Sequence, residues 1–188
     1  NKVRISYSLT ENVNNTNEIQ HDIIKNALKY FEINNGIEIV TSADVPSSGS
    51  GLGSSSALTV GLSLASSKFI KKTINKRKLG EKACAIEINK CKKPIGMQDQ
   101  YSTAYGGFNC ILFKKNRTVN VRKIKISNSR LQNFRENLML FYSGINRSAT
   151  KILGRIKKNK KKFLNYEKLS VLAKNFEYEI INGNLDNL

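Results

Sequence analysis

The chain has 188 residues, of which 39% are hydrophobic, and its formal net charge is +18. This length is enough for one large domain or for one domain with part of another, and the apolar fraction is enough for a real core. No apolar run approaches the roughly 20 residues needed to span a bilayer, and no secretory signal is present, so we expect no membrane partner. Three cysteines without CxxC spacing and a single histidine indicate a reduced, cytoplasmic protein without a His-rich metal site.

The strong positive charge raises nucleic acid as a partner. The lysines are spread along the chain, however, and the one dense run, residues 155–162, is more simply a solvated helix end or loop. No aromatic-rich sheet motif or zinc-ligand pattern supports nucleic-acid recognition. An anionic small-molecule substrate suits the charge equally well, so a nucleic-acid-binding module stays the weaker alternative.

The first half of the chain alternates strand and helix patterns. Residues 3–9 alternate apolar and polar as a half-buried strand does, and the polar residues 11–17 indicate a loop. An apolar stripe over 19–31 predicts a helix, and a strand follows over 36–41. A glycine-rich loop then leads into a helix that ends near Lys71, whose predicted core-facing residues are Leu58, Leu62, Ala65 and Phe69.

The second half begins with a helix over 79–91 that ends before Pro94, since proline cannot continue it. The polar, glycine-punctuated residues 95–109 are predicted to form a loop. Later elements are predicted as strands over 108–113, 118–126 and 138–142 and as helices from Arg147 and over 169–181. This order predicts an α+β fold with helices on one side of a largely antiparallel sheet.

The stretch from Asp44 to Ala57 is the strongest candidate for a binding site. Glycines at 49, 51 and 53 allow positive φ and close approach to a ligand, and the serines that follow begin a helix. The free N–H groups and the positive end of the helix dipole favour an anion there. The composition also fits a flexible linker. The loop is not a Walker A motif, because no lysine follows its last glycine. It is not a dinucleotide-binding fingerprint either, because Ser54 stands where that motif has its third glycine.

Two carboxylates downstream suggest phosphoryl transfer, which requires a phosphate cradle, Mg²⁺ ligands and a group that handles a proton. Glu87 is one of few acids in the middle of the chain and could join a loop serine in holding Mg²⁺. Asp99 is the candidate base or orienting group. Each has an ordinary alternative, an exposed helix residue for Glu87 and a turn cap for Asp99.

These features together resemble the galactokinase–homoserine kinase–mevalonate kinase–phosphomevalonate kinase (GHMP) superfamily. Residues 51–57, Gly-Leu-Gly-Ser-Ser-Ser-Ala, are similar to its ATP motif, and residues 96–101, Gly-Met-Gln-Asp-Gln-Tyr, are similar to its substrate loop. The resemblance implies ATP and Mg²⁺ as cofactors, Asp99 as the catalytic residue that contacts the substrate hydroxyl, and Ser55 and Glu87 as the metal ligands. The ATP-binding residues that it implies are Gly49, Ser50, Gly51, Leu52, Gly53, Ser54, Ser55 and Ser56.

Within that superfamily the chain most resembles the D-glycero-D-manno-heptose 7-phosphate kinases. The resemblance lies in residues 94–109 and in Leu140–Ile145 followed by Arg147. It implies phosphorylation of a sugar hydroxyl, the anomeric one of a heptose 7-phosphate, in nucleotide-heptose synthesis. The substrate-binding residues that it implies are Gln98, Asp99, Gln100, Tyr101, Gly107 and Arg147, the last with an ordinary surface ion pair as its alternative.

The resemblance also implies a domain organisation. Residues 1–150 would form an N-terminal, ATP-binding domain like the second domain of ribosomal protein S5, incomplete at its start, and 151–188 would begin a largely missing ferredoxin-like C-terminal region. We expect this piece alone to bind nucleotide weakly and to turn over little. Alternatives are a kinase for a fucose- or galactose-type sugar and a degenerate relative without turnover. The sequence does not indicate an oligomeric state.

Overall fold

The computed structural model describes residues 2–44, 51–141 and 163–185. The described residues form two compact units, one over 2–44 and 51–105 and the other over 106–141 and 163–185. The domain boundary predicted near residue 150 lies outside the described residues. No helix among those described is long and apolar enough to cross a membrane.

The first unit begins with a three-stranded sheet. Strand β1 (Val3–Ser6) pairs antiparallel with β2 (Thr10–Val13) and parallel with β3 (Ile37–Val40), in the order β2-β1-β3. Two of its residues, Val3 and Ile5, are fully buried, as their alternation with polar residues predicts. The loop predicted over 11–17 is wrong for its first residues, because β2 belongs to the sheet. A polar edge strand held by backbone hydrogen bonds carries no apolar pattern that would mark it.

Helix α1 (Asp22–Tyr30) lies between β2 and β3 in the chain, and its apolar residues Ile23, Ile24, Ala27 and Leu28 are buried in the main core of the unit. His21 caps the helix, since its Nδ1 accepts a hydrogen bond from the N–H of Ile24 at 3.4 Å. A short 3-10 turn (Thr16–Glu18) precedes the cap. The parallel β1–β3 pair with α1 as its crossover makes this sheet mixed.

Helix α2 (Ser54–Phe69) leaves the glycine-rich loop and runs through the first unit. Of its four predicted inward residues, Leu62 is buried and Leu58 is partly buried, whereas Ala65 and Phe69 are exposed. The face that is buried instead is lined by small polar residues, namely Ser56, Thr59, Ser63, Ser66 and Ser67. Hydroxyl groups on this face donate to backbone carbonyls one turn earlier, for example Ser63 Oγ to Thr59 O at 2.8 Å. The hydroxyls of Thr59 and Ser63 are thus buried with their donors paired, which the periodicity of apolar residues could not reveal.

Helix α3 (Lys76–Cys84) continues into a π-helical segment (Ala85–Lys90), together covering most of the helix predicted over 79–91. The wider turn is visible in the bond from the N–H of Cys91 to Ile86 O, at 2.9 Å and five residues back. Helix α4 (Gln98–Tyr105) corrects the predicted loop over 95–109. Its formation depends on packing against α2 and α3, where the ring of Tyr101 lies against Gly80.

The second unit contains a hairpin of β4 (Asn109–Phe113) and β5 (Val119–Lys123), followed by helix α5 (Asn128–Glu136) and helix α6 (Phe163–Asn182). The hairpin and α6 confirm the predicted strands over 108–126 and the predicted final helix. The predicted strand over 138–142 is wrong for its described residues, 138–141, which form no strand and are 58–88% exposed. A run of apolar residues forms a strand only where its backbone can pair with another strand, and the sequence pattern does not show whether it can. The helix predicted from Arg147 lies outside the described residues.

Candidate active site

The first turn of α2 has free backbone donors at a bend that only glycine adopts easily. Gly51 and Gly53 have φ of +74° and +70°, as the loop motif predicts, while Gly49 and Ser50 lie outside the described residues. Gly53 is the N-cap residue, and no side chain caps the helix there. The N–H groups at this end therefore face a site that suits an anion.

Glu87 is fully buried, although an isolated reading of its position favours an exposed helix residue. Four donors surround its carboxylate. Ser55 Oγ donates to Oε1 at 2.5 Å, and Ser56 Oγ and Gln100 Nε2 each donate to Oε2 at 2.6 Å. The fourth donor is Lys93 Nζ, which lies 3.2 Å from Oε1. The carboxylate thus joins the start of α2, the π-helical segment and α4.

Lys93 is the residue of this cluster that the sequence did not indicate. Its ammonium donates to Ser55 Oγ at 2.7 Å as well as to Glu87, and its backbone N–H donates to Glu87 O at 3.0 Å. Its side chain is 23% exposed. In sequence it is one of two lysines before Pro94, and nothing distinguishes it from Lys92. Only the turn after the π-helical segment brings it back to the carboxylate.

The charge state of Glu87 follows from these contacts. Burial acts to raise the pKa of its carboxyl, but the hydrogen bonds from Ser55, Ser56 and Gln100 and the charge of Lys93 outweigh burial and lower the pKa below its usual range. Glu87 is therefore a carboxylate at neutral pH. A buried anion of this kind attracts a cation to the adjacent hydroxyl of Ser55.

Asp99 lies in the first turn of α4 and is exposed. Its carboxylate lies against the backbone of Gly53, since a Cβ built on that glycine would be 3.6 Å from Asp99 Oδ2. The structure thus brings the predicted base to the N-terminus of α2. The alternative interpretation of Asp99 was a residue that caps a turn in a loop. Asp99 instead lies in a helix, beside the proposed phosphate cradle.

The other predicted substrate residues fall into three groups. Gln98 is exposed at the start of α4, beside Asp99. Gln100 and Tyr101 are buried, Gln100 with its amide on Glu87 and Tyr101 with its ring against Gly80 in α3. Gly107 is exposed in the second unit, and Arg147 lies outside the described residues. Gln100 and Tyr101 thus contribute to the architecture around the site through contacts within the protein.

An open cavity of about 1030 Å³ lies beside the start of α2. Ser54, Ser55 and Lys93 form its polar end. The rest is lined by Tyr7 and Ser8 after β1, by residues 41–44 after β3, which include the carboxylate of Asp44, and by His21. Apolar side chains of α1, α2 and the glycine-rich loop complete it, namely Ile23, Leu52, Ala57 and Leu58. Its polar end and apolar walls fit a ligand that has an anionic and a flat apolar part.

The oxygens at the polar end also fit a divalent cation. Ser55 Oγ and Glu87 Oε1 are hard ligands of the kind that Mg²⁺ prefers, and the carboxylate is ionised. No cluster of three or more His, Cys, Asp or Glu side chains is found in the part of the chain that the structure describes. With Ser55 and Glu87 as ligands, a cation here would complete its shell with water or ligand oxygens, as Mg²⁺ commonly does.

Comparison with known proteins places this site in a family. Residues 21–107 match the family model described as GHMP kinases N terminal domain. The chain is 32% identical over 136 residues to the D-glycero-alpha-D-manno-heptose 7-phosphate kinase of Campylobacter jejuni subsp. jejuni serotype O:2. That match covers 72% of this chain and 38% of the relative, so the chain spans well under half the length of the curated relative.

Solved structures show the same fold. A D-glycero-D-manno-heptose 1-phosphate kinase from Bacteriodes thetaiotaomicron has a TM-score of 0.75 at 21% identity, over 97% of this chain and 58% of that one. The mevalonate kinase of Methanococcus jannaschii has a TM-score of 0.59 at 21% identity, over 93% and 59% of the two chains. The matched residues contain both the α2 loop and the Asp99 segment. Residues 21–107 therefore match the N-terminal domain of the GHMP kinases, and the chain has the fold of that family.

Proposed function

We propose that the protein transfers the γ-phosphoryl group of ATP to a hydroxyl group of a sugar phosphate. The proposal rests on one observation, namely that three features lie together at the N-terminus of α2. These are the uncapped N-terminus of α2, the Ser55–Glu87 pair and the Asp99 carboxylate against Gly53. A phosphate cradle, ligands for a cation and a proton acceptor are the parts that phosphoryl transfer requires.

The phosphates of ATP would bind at the start of α2. Residues 54–56 supply the N–H groups of its first turn, and the helix dipole adds a favourable charge for an anion. The open cavity next to Ser54 and Ser55 has room for the rest of a nucleotide. The predicted ligands Gly49 and Ser50 keep their assignment as part of the same loop motif.

Ser55 and Glu87 would hold Mg²⁺ when the nucleotide is bound. The ion would supply neutralising charge for the phosphate oxygens, which lowers the energy of the transition state. Ser56 and Gln100 serve that ligand pair indirectly, because both donate to Glu87 Oε2 and so fix the carboxylate.

Asp99 would accept or orient the proton of the attacking hydroxyl. Its position in the first turn of α4 holds it beside the cradle, so the hydroxyl and the γ-phosphate would meet between α4 and α2. Gln98, exposed next to Asp99, is the accessible neighbour for further contacts to the sugar. Gly107 and Arg147 remain predicted substrate residues.

The heptose assignment rests on the names of the relatives. One relative is a heptose 7-phosphate kinase and a fold neighbour is a heptose 1-phosphate kinase, which both point to a phosphorylated heptose as acceptor. We propose the anomeric hydroxyl of a heptose 7-phosphate, with a fucose- or galactose-type sugar as the alternative. The use of ATP and the free thiols of Cys84, Cys91 and Cys110 suit a cytoplasmic location.

A substrate panel tests the proposal on the whole protein. Release of ADP from Mg²⁺-ATP should be fastest with the heptose 7-phosphate and fall by at least about 100-fold when the 7-phosphate is absent, because charge-assisted hydrogen bonds to that phosphate would then be missing. Fucose and galactose form the comparison arm. Equal or faster turnover of an unphosphorylated sugar would overturn the heptose assignment, and no ADP release with any sugar would overturn the kinase proposal.

A further inference from the structure

The ammonium of Lys93 occupies the position next to the oxygens proposed to hold a divalent cation. Its Nζ lies 2.7 Å from Ser55 Oγ and 3.2 Å from Glu87 Oε1. These two oxygens are themselves 2.5 Å apart, held by a hydrogen bond. A positive charge therefore already lies at this pair of oxygens.

We propose that Lys93 is a built-in counter-cation of this site, and that a divalent cation binds Ser55 and Glu87 only by displacing its ammonium. The inference rests on the proposed kinase function for the identity of the ion as Mg²⁺. It goes beyond that function because it states that the Lys93 side chain and a metal ion compete for the same two oxygens. It also names Lys93 as a residue that positions the metal ligands.

Electrostatics makes the two cations mutually exclusive. Glu87 is fully buried and already accepts four hydrogen bonds, so it offers no spare lone pair directed at a second cation. Two cations about 3 Å apart in a partly buried site repel each other strongly, because the effective dielectric constant there is only about 20. Mg²⁺ would thus require Lys93 to leave.

Lys93 has a route out of the site. Its side chain is partly exposed and lines the open cavity beside Ser54 and Ser55. A lysine carries a compact charge on a flexible stem, so the ammonium can turn into the cavity without movement of the backbone. Phosphate groups bound at the start of α2 would give it a new anionic partner there. Free Mg²⁺ would then bind weakly to the nucleotide-free protein and more tightly together with nucleotide.

The test uses a divalent ion alone. Mn²⁺ binding to the nucleotide-free whole protein is followed by electron paramagnetic resonance for wild type, Lys93→Met and Lys93→Gln. Both substitutions remove the competing charge, and Gln keeps a hydrogen-bond donor for Glu87 in case the Met variant folds poorly. Mn²⁺ should bind both variants at least about tenfold more tightly than wild type, because a like charge has been removed from the site.

Two further variants make the result specific. Lys90→Met removes the same charge from the exposed end of the π-helical segment and should leave Mn²⁺ affinity within about twofold of wild type. The double variant Glu87→Gln, Lys93→Gln should lose the gain. Equal Mn²⁺ affinity in wild type and both Lys93 variants, or a gain that persists without Glu87, would overturn the proposal. A protein without kinase activity would still show the competition, so the two proposals fail separately.

Discussion

At the scale of single residues, Asp99 and Glu87 have opposite surroundings that fit different tasks. Asp99 is exposed beside the backbone of Gly53, where a substrate can reach it, whereas Glu87 is enclosed by four donors. A proton acceptor must contact the substrate, and a metal ligand must keep its geometry. Replacement of either carboxylate should therefore affect different measurements.

Asp99→Asn should abolish most turnover while leaving nucleotide binding intact. The amide keeps the size of the side chain but cannot accept the hydroxyl proton, so kcat should fall by about 100- to 10,000-fold. Calorimetry should give an ATP affinity within about threefold of wild type, because α2 is unchanged. Glu38→Gln, at an exposed carboxylate on β3, is the matched control and should keep full activity. Turnover near the wild-type rate in Asp99→Asn would exclude Asp99 as the base.

Glu87 should make the protein sensitive to acid. Because its folded pKa lies below that of an unfolded glutamate, its charge stabilises the fold above about pH 4.3, and this contribution is lost as pH falls through the folded value. Glu87→Gln should cost about 2 kcal/mol at pH 7, since hydrogen bonds to a charged group are lost. Urea unfolding from pH 7 to pH 3 should show this difference shrinking in acid. A difference that stays constant with pH would mean that Glu87 is not ionised in the folded protein.

At the scale of elements, α2 is the part of the fold on which the site depends most. Its first turn supplies free N–H groups, its third residue contacts Glu87, and most of its buried residues are polar. Two glycines of this element have different roles. Gly53 has φ of +70° at the N-cap, whereas Gly61 lies within the helix, and a Cβ there would meet no atom within 4 Å.

These two glycines give a matched pair of substitutions. Gly53→Ala should destabilise the protein by about 1–2 kcal/mol, since an L residue is strained at positive φ, and should weaken nucleotide binding. Its Cβ would meet Asp99 only at ordinary contact distance, so the backbone is the cause. Gly61→Ala should stabilise by about 0.5–1 kcal/mol through helix propensity. Thermal unfolding with and without ATP measures both. A neutral Gly53→Ala would show that the left-handed N-cap is not required.

At the scale of the whole molecule, the charge of +18 allows two kinds of anionic partner. A kinase binds Mg²⁺-ATP at one end of α2, whereas a nucleic-acid-binding module neutralises many phosphates and loses affinity steeply with salt. We expect Mg²⁺-ATP to raise the melting temperature and to protect residues 51–58 and 86–93 from hydrogen exchange. Single-stranded RNA should give no protection at about 0.15 M salt. Saturable RNA binding that excludes ATP would favour the alternative function.

The sequence predicted the fold well where side chains follow a regular pattern. The stripe of α1, the strands β1 and β3 and the positive φ of Gly51 and Gly53 all follow from local chemistry. It failed where tertiary packing decides. Helix α4 and strand β2 have no apolar periodicity, and the apolar residues 138–141 pair with none of the strands that the structure describes.

The same division applies to the candidate site. The sequence marks Ser55, Glu87 and Asp99 through a rare loop and scarce carboxylates, and the structure brings all three to one end of α2. It gives no sign of Lys93 or of the support from Ser56 and Gln100, because those contacts join residues that are 6 to 38 positions apart. Such contacts exist only once the helices have packed.

The π-helical segment Ala85–Lys90 determines the direction in which the residues after it face. It accommodates one residue more than an α-helical turn of the same height, so everything after it is turned by about 100° relative to an uninterrupted α-helix. The segment is equivalent to an α-helix into which one residue has been inserted. A chain shortened by one residue there would keep the buried stripe of α3 up to Cys84. We expect it to turn Lys93 away from Glu87, so that the buried carboxylate would lose its ion pair with Lys93 and keep only neutral donors.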